Sequence, residues 1–234
     1  MKAIFKKEFR GYFLSPIGYI FVGVYMVLSA MFFLGGSIAY QIADIRVLFS
    51  NVNIVYLFLV SILTMRLMSE ERNKKTDQLL LTAPISVWEI VLGKYLAVMA
   101  VLGVTLVVSF VFPAVLFTFG NPPVSEVVGS YVGFVLLWGS FIAIGNLISS
   151  LTESQIIAAV FTFGVLLLIY FMDSIAGNIA NPMIQKIALW VSLFQRYNDF
   201  QNGILSISNV IYYLSFIFLM VFLTVRSVEK RRYS

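Results

Sequence analysis

Residues 90–119 read IVLGKYLAVMAVLGVTLVVSFVFPAVLFTF and contain one charged side chain, that of Lys94. A helix needs about 20 mostly apolar residues to cross the hydrocarbon of a bilayer, so this stretch predicts a transmembrane helix. It is long for one span, and Pro113 in its second half predicts a bend because proline removes a helical hydrogen bond. The stretch therefore places the chain among membrane proteins.

The rest of the chain has the same character. Five further stretches are long and apolar enough to span a bilayer, namely 17–39, 52–68, 127–149, 156–172 and 208–225. Of the 234 residues, 60% are hydrophobic and 12% are charged, and the mean hydropathy is +0.95. These values are typical of integral membrane proteins rather than of soluble domains. The sequence predicts an all-α polytopic membrane protein with six transmembrane helices and a single domain, residues 1–234.

Positively charged residues fall on one side of this arrangement. Most of the 16 Lys and Arg residues lie before span one, around the gap between spans two and three, or after span six: Lys2, Lys6, Lys7, Arg10, Arg66, Arg72, Lys74, Lys75, Lys94, Arg226, Lys230, Arg231 and Arg232. Because positive charge resists translocation, both termini and the loop 69–89 are predicted to be cytoplasmic. The outward segments are then 40–51, 120–126 and 173–207. The net charge of +5 is explained in this way and not by nucleic-acid binding.

Residues 1–14 form a separate element. Phe5 and Phe9 recur at helical spacing, whereas Lys6 and Arg10 occupy other faces. This pattern predicts an amphipathic helix that lies on the inner leaflet. Ser15 can cap the first span and Pro16 can open it, so the chain would turn there from the membrane surface into the bilayer.

The outward segment 173–207 is not a simple loop. It mixes polar residues with apolar runs that are too short to span the bilayer. Such runs re-enter the membrane or lie at its surface, where neighbouring protein satisfies their backbone groups. We therefore predict re-entrant or interfacial outer helices between spans five and six.

A search for catalytic residues returns mostly absences. The chain has no cysteine and no histidine, which removes thiolate nucleophiles and the usual ligands of zinc, copper and haem. The pair Gly93-Lys94 lacks the upstream glycine and the following Ser or Thr of a P-loop. No paired carboxylates lie inside a predicted span, which makes a proton-coupled transporter the weaker reading. We predict no catalytic, cofactor-binding or metal-binding residue on this chain.

The most informative polar stretch is SEERNKKTDQLLLTAPISVWEIVLGK, residues 69–94. A charged run leads through three leucines to a break at Pro84, and Ser86 with Glu89 forms a capping box that starts the next helix. Apolar residues exposed beside charges on a short helix would give a soluble partner a handle on the membrane part. The alternative is a positive-inside anchor whose leucines pack against the spans.

The same stretch resembles the cytoplasmic segment of ABC-2-type (type V) ABC transporter permeases. The matching residues are Glu71, Arg72, Thr76, Leu79, Leu80, Pro84, Glu89, Gly93 and Lys94. Lys75 stands where the family usually has glycine. A second motif near the end of the chain resembles the gliding-motility-associated permease subgroup. Its residues are Arg196, Tyr197, Asp199, Phe200, Gly203, Ile204, Tyr212 and the run 225–231.

The resemblance implies a permease subunit of an ATP-binding-cassette exporter in a prokaryotic plasma membrane. A coupling helix within 69–87 would seat in a groove of an ATPase subunit, which binds the ATP and Mg²⁺, and an interface helix with Phe5, Phe9 and Arg10 would help to hold it. Two ATPase copies would pair with two permease chains, as a homodimer or a heterodimer, with the substrate path between the permeases. An apolar or amphipathic substrate is expected because no charged site is visible in mid-membrane.

Two other functions fit the same sequence. The chain could be an ATPase-driven assembly or mechanotransmission subunit that acts on an extracytoplasmic partner through 173–207. It could also be a secondary transporter without an ATPase. Binding of an ATPase is expected for the exporter and for the mechanotransmission subunit, but not for a secondary transporter.

Overall fold

The computed structural model describes residues 1–40, 44–76, 85–176, 183, 185 and 192–232. Within these ranges the chain is almost wholly helical and contains no strand. Six helices are long and apolar enough to cross a membrane, and we name them spans one to six: Pro16–Ile38, Ile45–Asn73, Val87–Phe119, Val124–Leu151, Gln155–Met172 and Ile207–Arg231. The predicted all-α fold with six membrane-spanning helices is confirmed.

The amino-terminal helix Lys2–Leu14 precedes span one and buries Ile4 and Tyr12. Pro16 occupies the first turn of span one, as predicted. The expected side-chain cap is not formed, because the Ser15 hydroxyl donates to the carbonyl of Gly11 at 2.8 Å instead. Ser15 therefore closes the helix before it, while proline alone opens the helix after it.

The short helix Leu193–Gln201 lies within the predicted outer segment 173–207. Ser192 caps it by accepting a hydrogen bond from the amide of Gln195 at 3.0 Å. Most of 177–191, where re-entrant helices are predicted, lies outside the described residues.

Span two begins at Ile45, well before the predicted residue 52. Asp44 caps it, accepting a hydrogen bond from the backbone amide of Arg46 at 2.8 Å. The Arg46 guanidinium lies 2.8 Å from Asp44 and 3.5 Å from Glu126 on span four. Because these carboxylates compensate its charge, the helix can include an arginine that the apolar pattern alone left out.

The predicted bend at Pro113 coincides with a break in span three. One helix ends at Ser109 and the next begins at Val111. Proline has no N–H to donate to the carbonyl four residues earlier, which is that of Ser109. The hydroxyl of Tyr131 on span four donates to this carbonyl at 2.9 Å. A tertiary hydrogen bond thus replaces the helical one that proline removes.

Span four lies at the centre of the bundle. The most apolar 18-residue stretch of span four is 78% buried inside the bundle, compared with 17% for span five and 22% for span six. Two glycines on span four receive the short helix Leu193–Gln201: a Cβ at Gly129 would overlap the carbonyl oxygen of Phe200, and one at Gly133 would lie 2.6 Å from the Phe200 Cβ. These small residues serve packing within one chain.

Aromatic rings fill the space between spans one, two and four. Tyr56 stacks on Tyr25 with ring centroids 4.7 Å apart and meets Trp138 edge-on at 4.4 Å. Its hydroxyl shares a hydrogen bond of 2.9 Å with Ser29. Such contacts add specific geometry to apolar burial, so these three spans are held together as one packed unit.

Candidate functional site at the basic end of the bundle

Basic residues from three separate parts of the chain meet at one end of the bundle, which we name the basic end. Lys7 of the amino-terminal helix lies 3.0 Å from Glu71 at the end of span two. Arg72, next along the chain, lines the same groove as Arg226 and Lys230 at the end of span six. The grouping follows the predicted sidedness of Lys and Arg.

Lys94 on span three is the centre of this end. Its side chain is 1% exposed, and its ammonium lies 2.9 Å from Glu71 and 3.2 Å from Glu8. It also donates to the carbonyl of Leu67 at 2.6 Å. In the part of the chain that the structure describes, no other charged side chain is so completely buried. Span three, the end of span two and the amino-terminal helix therefore share one ammonium group.

The charges around Lys94 are balanced. Glu8 and Glu71 are 13% and 14% exposed, and Lys7 lies 3.9 Å from the first and 3.0 Å from the second. Burial lowers the pKa of Lys7, but its hydrogen bond to Glu71 and the charges of Glu71, Glu8 and Glu70 together raise that pKa above its ordinary value of 10.5. Two ammonium groups thus face two carboxylates, an arrangement that separation of the helices would disrupt.

Gly93 lets the amino-terminal helix approach span three. A Cβ at this position would lie 3.1 Å from both Cβ and Cγ2 of Ile4. Contacts of that length are tighter than ordinary van der Waals packing, so a larger residue would push the helix away. The pair Gly93-Lys94 therefore combines a steric gap with the cation that holds the neighbouring helix.

A second contact holds the amino-terminal helix to span two. The Tyr12 hydroxyl donates to the carbonyl of Leu63 at 2.8 Å, and burial raises the pKa of this phenol, which keeps it a donor. The Arg66 guanidinium lies 5.1 Å from the centre of the Tyr12 ring and 3.1 Å from Glu70. Arg66 thus anchors two helices to each other.

Two of the remaining predicted coupling residues, Arg72 and Thr76, lie beside this cluster. Arg72 lies 2.7 Å from Glu153, in the turn between spans four and five, and so links span two to that turn. Thr76 is exposed, and its backbone amide donates to the carbonyl of Glu71 at 2.9 Å. Leu79, Leu80 and Pro84 lie outside the described residues.

The predicted start of span three is observed, but the Glu89 side chain bonds to a partner outside the capping box. Ser86 accepts a hydrogen bond from the amide of Glu89 at 3.2 Å and caps the helix. The carboxylate of Glu89 pairs with the amino group of Met1 at 3.3 Å. Glu89 therefore adds a further contact between span three and the amino-terminal helix.

The three residues predicted for the interface helix have different environments. Phe5 and Phe9 are half-buried and stack on each other with ring centroids 5.9 Å apart. Arg10 is exposed. Sequence reasoning missed Glu8, the acidic member of the cluster. Its signal was its isolation, since it is the sole acidic residue in 1–14 among four basic ones.

The second sequence motif is divided between the two ends of the bundle: its run 225–231 lies at the basic end, and its residues from Arg196 to Tyr212 lie at the opposite end. The Arg196 guanidinium lies 3.9 Å from the centre of the Tyr212 ring and donates to Asn209 at 3.0 Å. Asn209 in turn donates to Asp199 at 2.9 Å. Gly203 has φ of +76°, a left-handed conformation that favours glycine and turns the chain toward span six. We name Arg196, Asp199, Asn209 and Tyr212 the outer cluster.

Both sites lie within a region that matches one protein family. Comparison with curated proteins finds no match. The model of the family described as "ABC-2 family transporter protein" matches residues 3–228 of the 234. This region contains the whole Lys94 cluster and the outer cluster, and it extends into the end of span six. The chain therefore belongs to the ABC-2 transporter family.

Proposed function

We propose that this chain is the membrane permease subunit of an ATP-binding-cassette exporter, driven by a separate ATPase subunit that docks on the segment 69–87. ABC-2 proteins are membrane components that generally work with an ABC ATPase. The observation that carries the proposal is the Lys94 cluster, because it joins the residues that lead into the coupling segment to span three and to the amino-terminal helix.

The contacts of the described residues support a route for mechanical coupling. In this proposal a force on the coupling segment 69–87 would reach span two through Glu71 and span three through Ser86, which caps it. Lys94 connects both ends of that loop. Pulling a buried ion pair apart leaves uncompensated charge and costs several kcal/mol, so the three elements move together rather than separately. Small displacements at such a unit are passed on as rigid-body movement of the spans.

We further propose that the basic end faces the cytoplasm of a prokaryotic cell, where ATP is available. The excess of Lys and Arg at this end agrees with the positive-inside rule. Two copies of the ATPase and two permease chains would form the complex. The most apolar 18-residue stretch of span five is 17% buried, so span five offers a surface for the second permease chain.

The substrate in this proposal is apolar or amphipathic and moves outward. Among the described residues, Lys94 is the one charged side chain that is fully buried, and two carboxylates compensate its charge. A strongly charged solute would need an uncompensated partner in the membrane. Three of the four residues of the outer cluster, Arg196, Asp199 and Tyr212, belong to the second motif, and their contacts support assignment to the gliding-motility-associated subgroup.

Co-purification from detergent tests the coupling. We expect an ATP-binding protein to co-purify with the tagged chain and to be lost from the double variant Leu79→Asp/Leu80→Asp. A matched control, Ile204→Asp/Leu205→Asp, makes the same change in two adjacent exposed residues at the opposite end and should keep the partner. Retention of the partner by the first variant, or absence of any ATPase from the unmodified complex, would show that the proposal is wrong.

Reconstitution separates export from mechanical work. If the complex hydrolyses ATP in vesicles and moves an amphipathic fluorescent probe outward, it is an exporter. If it hydrolyses ATP and moves no solute, while an extracytoplasmic partner changes state, the mechanotransmission alternative is correct. Transport without any ATPase would identify a secondary transporter.

A further inference from the structure

A groove at the basic end lies between the end of span two, the end of span four and the end of span six. It encloses about 590 Å³. Its apolar floor consists of Leu147, Leu151 and Leu223. Leu151 and Leu223 are 62% and 40% exposed, although both belong to membrane-spanning helices. Exposed leucines at this depth need an apolar neighbour, because water would leave their surface unfavourably hydrated.

Four basic residues surround this floor, namely Arg72, Arg226, Lys230 and Arg231. Two carboxylates lie beside them: Glu153 is 2.7 Å from Arg72, and Glu229 is 3.1 Å from Arg226. The groove therefore carries more positive than negative charge. Arg226 and Lys230 are four residues apart on one helix and so lie on the same face.

The combination of a basic rim and an apolar floor at a span terminus has a specific chemical complement. A phospholipid with an anionic headgroup presents a phosphate at the level of the rim and acyl chains at the level of the floor. Basic pockets between transmembrane helices bind such headgroups, with each nearby Lys or Arg contributing to the attraction. A zwitterionic lipid offers the same chains without the net charge.

We propose that this groove is a binding site for one anionic phospholipid from the leaflet at the basic end. Arg226 and Lys230 hold the headgroup phosphate, and Leu151 and Leu223 pack against the acyl chains. Arg72 lines the groove and stands at the end of span two, so the lipid would lie against the helix that leads into the coupling segment. Arg72 also contacts Glu153 in the turn between spans four and five. The proposal does not depend on the ATPase and can be tested on the isolated chain.

The test uses the absence of cysteine from the sequence. Leu219→Cys introduces a single thiol one helical turn before Leu223, at a 49% exposed position beside the groove that is not part of its lining, and this thiol is labelled with a fluorophore. The protein is reconstituted in phosphatidylcholine bilayers that contain a small fraction of nitroxide-labelled phosphatidylglycerol or nitroxide-labelled phosphatidylcholine. We expect phosphatidylglycerol to be enriched at the label about five-fold over phosphatidylcholine, the effect of one well-placed cation.

Two charge variants in the labelled protein localise the effect. Arg226→Gln/Lys230→Gln should abolish the preference, whereas Lys2→Gln/Lys6→Gln removes two exposed cations from the amino-terminal helix and should leave it intact. Equal quenching by the two lipids, or equal effects of the two double variants, would overturn the site and leave the groove to a protein partner. Loss of the preference on addition of millimolar inorganic phosphate would mean that the groove takes free phosphate, and the lipid proposal would also fail.

Discussion

The ammonium of Lys94, on span three, lies 2.9 Å from a carboxylate oxygen of Glu71, at the end of span two. Replacement of Lys94 by Met removes the buried cation of Glu71 and Glu8, and leaves these largely buried carboxylates with Lys7, whose side chain is 65% exposed. Breaking one side of a buried ion pair costs about 3–5 kcal/mol, so we expect a loss of that size in the free energy of unfolding, measured by denaturant titration in detergent.

The matched control for this prediction is Lys74→Met. Lys74 lies 2.7 Å from Glu70, but its side chain is 63% exposed, so its removal should cost less than about 1 kcal/mol. The triple variant Lys94→Met/Glu8→Gln/Glu71→Gln should regain most of the lost stability, because neutral groups of similar volume can replace a buried ion pair. Equal losses for Lys94→Met and Lys74→Met would contradict the burial of Lys94.

The short helix at the opposite end depends on a glycine. A Cβ at Gly129 would overlap the carbonyl oxygen of Phe200, and the backbone there has little room to move. Gly129→Ala should therefore lower the free energy of unfolding by about 1–3 kcal/mol, the usual cost of overpacking. Gly164→Ala on span five is the control, since its Cβ would meet no atom within 4 Å, and helix propensity should make it neutral or stabilising. The same response from both variants would mean that the short helix does not pack on span four as described.

The orientation of the bundle is tested by thiol labelling. Asn73 lies at the basic end and Asn121 at the other, and both are exposed. In intact cells an impermeant maleimide should label Asn121→Cys, whereas Asn73→Cys should react only after the membrane is opened. Because the sequence contains no cysteine, each variant has one thiol. Labelling of Asn73→Cys from outside would reverse the proposed topology and remove the coupling segment from the ATPase.

The pH dependence of Lys7 has a definite sign. Its pKa is raised above 10.5 in the folded protein, so the stability that it contributes is complete below that pH and is lost as the pH rises through the folded value. We expect the difference in unfolding midpoint between the native chain and Lys7→Met to be constant from about pH 7 to 9.5 and to shrink above about 10.5. The corresponding difference in the free energy of unfolding should be below about 1 kcal/mol, because the Lys7 side chain is 65% exposed. A difference that shrinks on acidification through neutral pH would argue against this ion pair.

The sequence predicted the membrane spans well because each needs only a local property, a long apolar run. It missed the early start of span two for a physical reason. Arg46 interrupts the apolar run, and the carboxylates that compensate it include Glu126, which is far away in the sequence. Local pattern also marked the bend at Pro113, but not the hydroxyl of Tyr131 that compensates for it.

The same distinction applies to the candidate site. Lys94 is recognisable from the sequence as part of a motif beside a polar loop. The structure buries it because Glu8 and Glu71 approach from two other helices, which no single stretch of sequence reveals. Leu79, Leu80 and Pro84 remain predictions from the motif alone.

The Lys94 cluster also constrains the order in which the helices dock as the chain is synthesised. Glu8 precedes Lys94 by 86 residues, so the ribosome releases the carboxylate long before its ammonium partner. Until the third span has been inserted, Glu8 lacks its Lys94 partner, whereas Lys7 and Tyr12 can already contact Glu71 and Leu63 of span two. Docking of the first helix is therefore completed late in biogenesis, and a nascent chain arrested before residue 94 would hold that helix through span two alone.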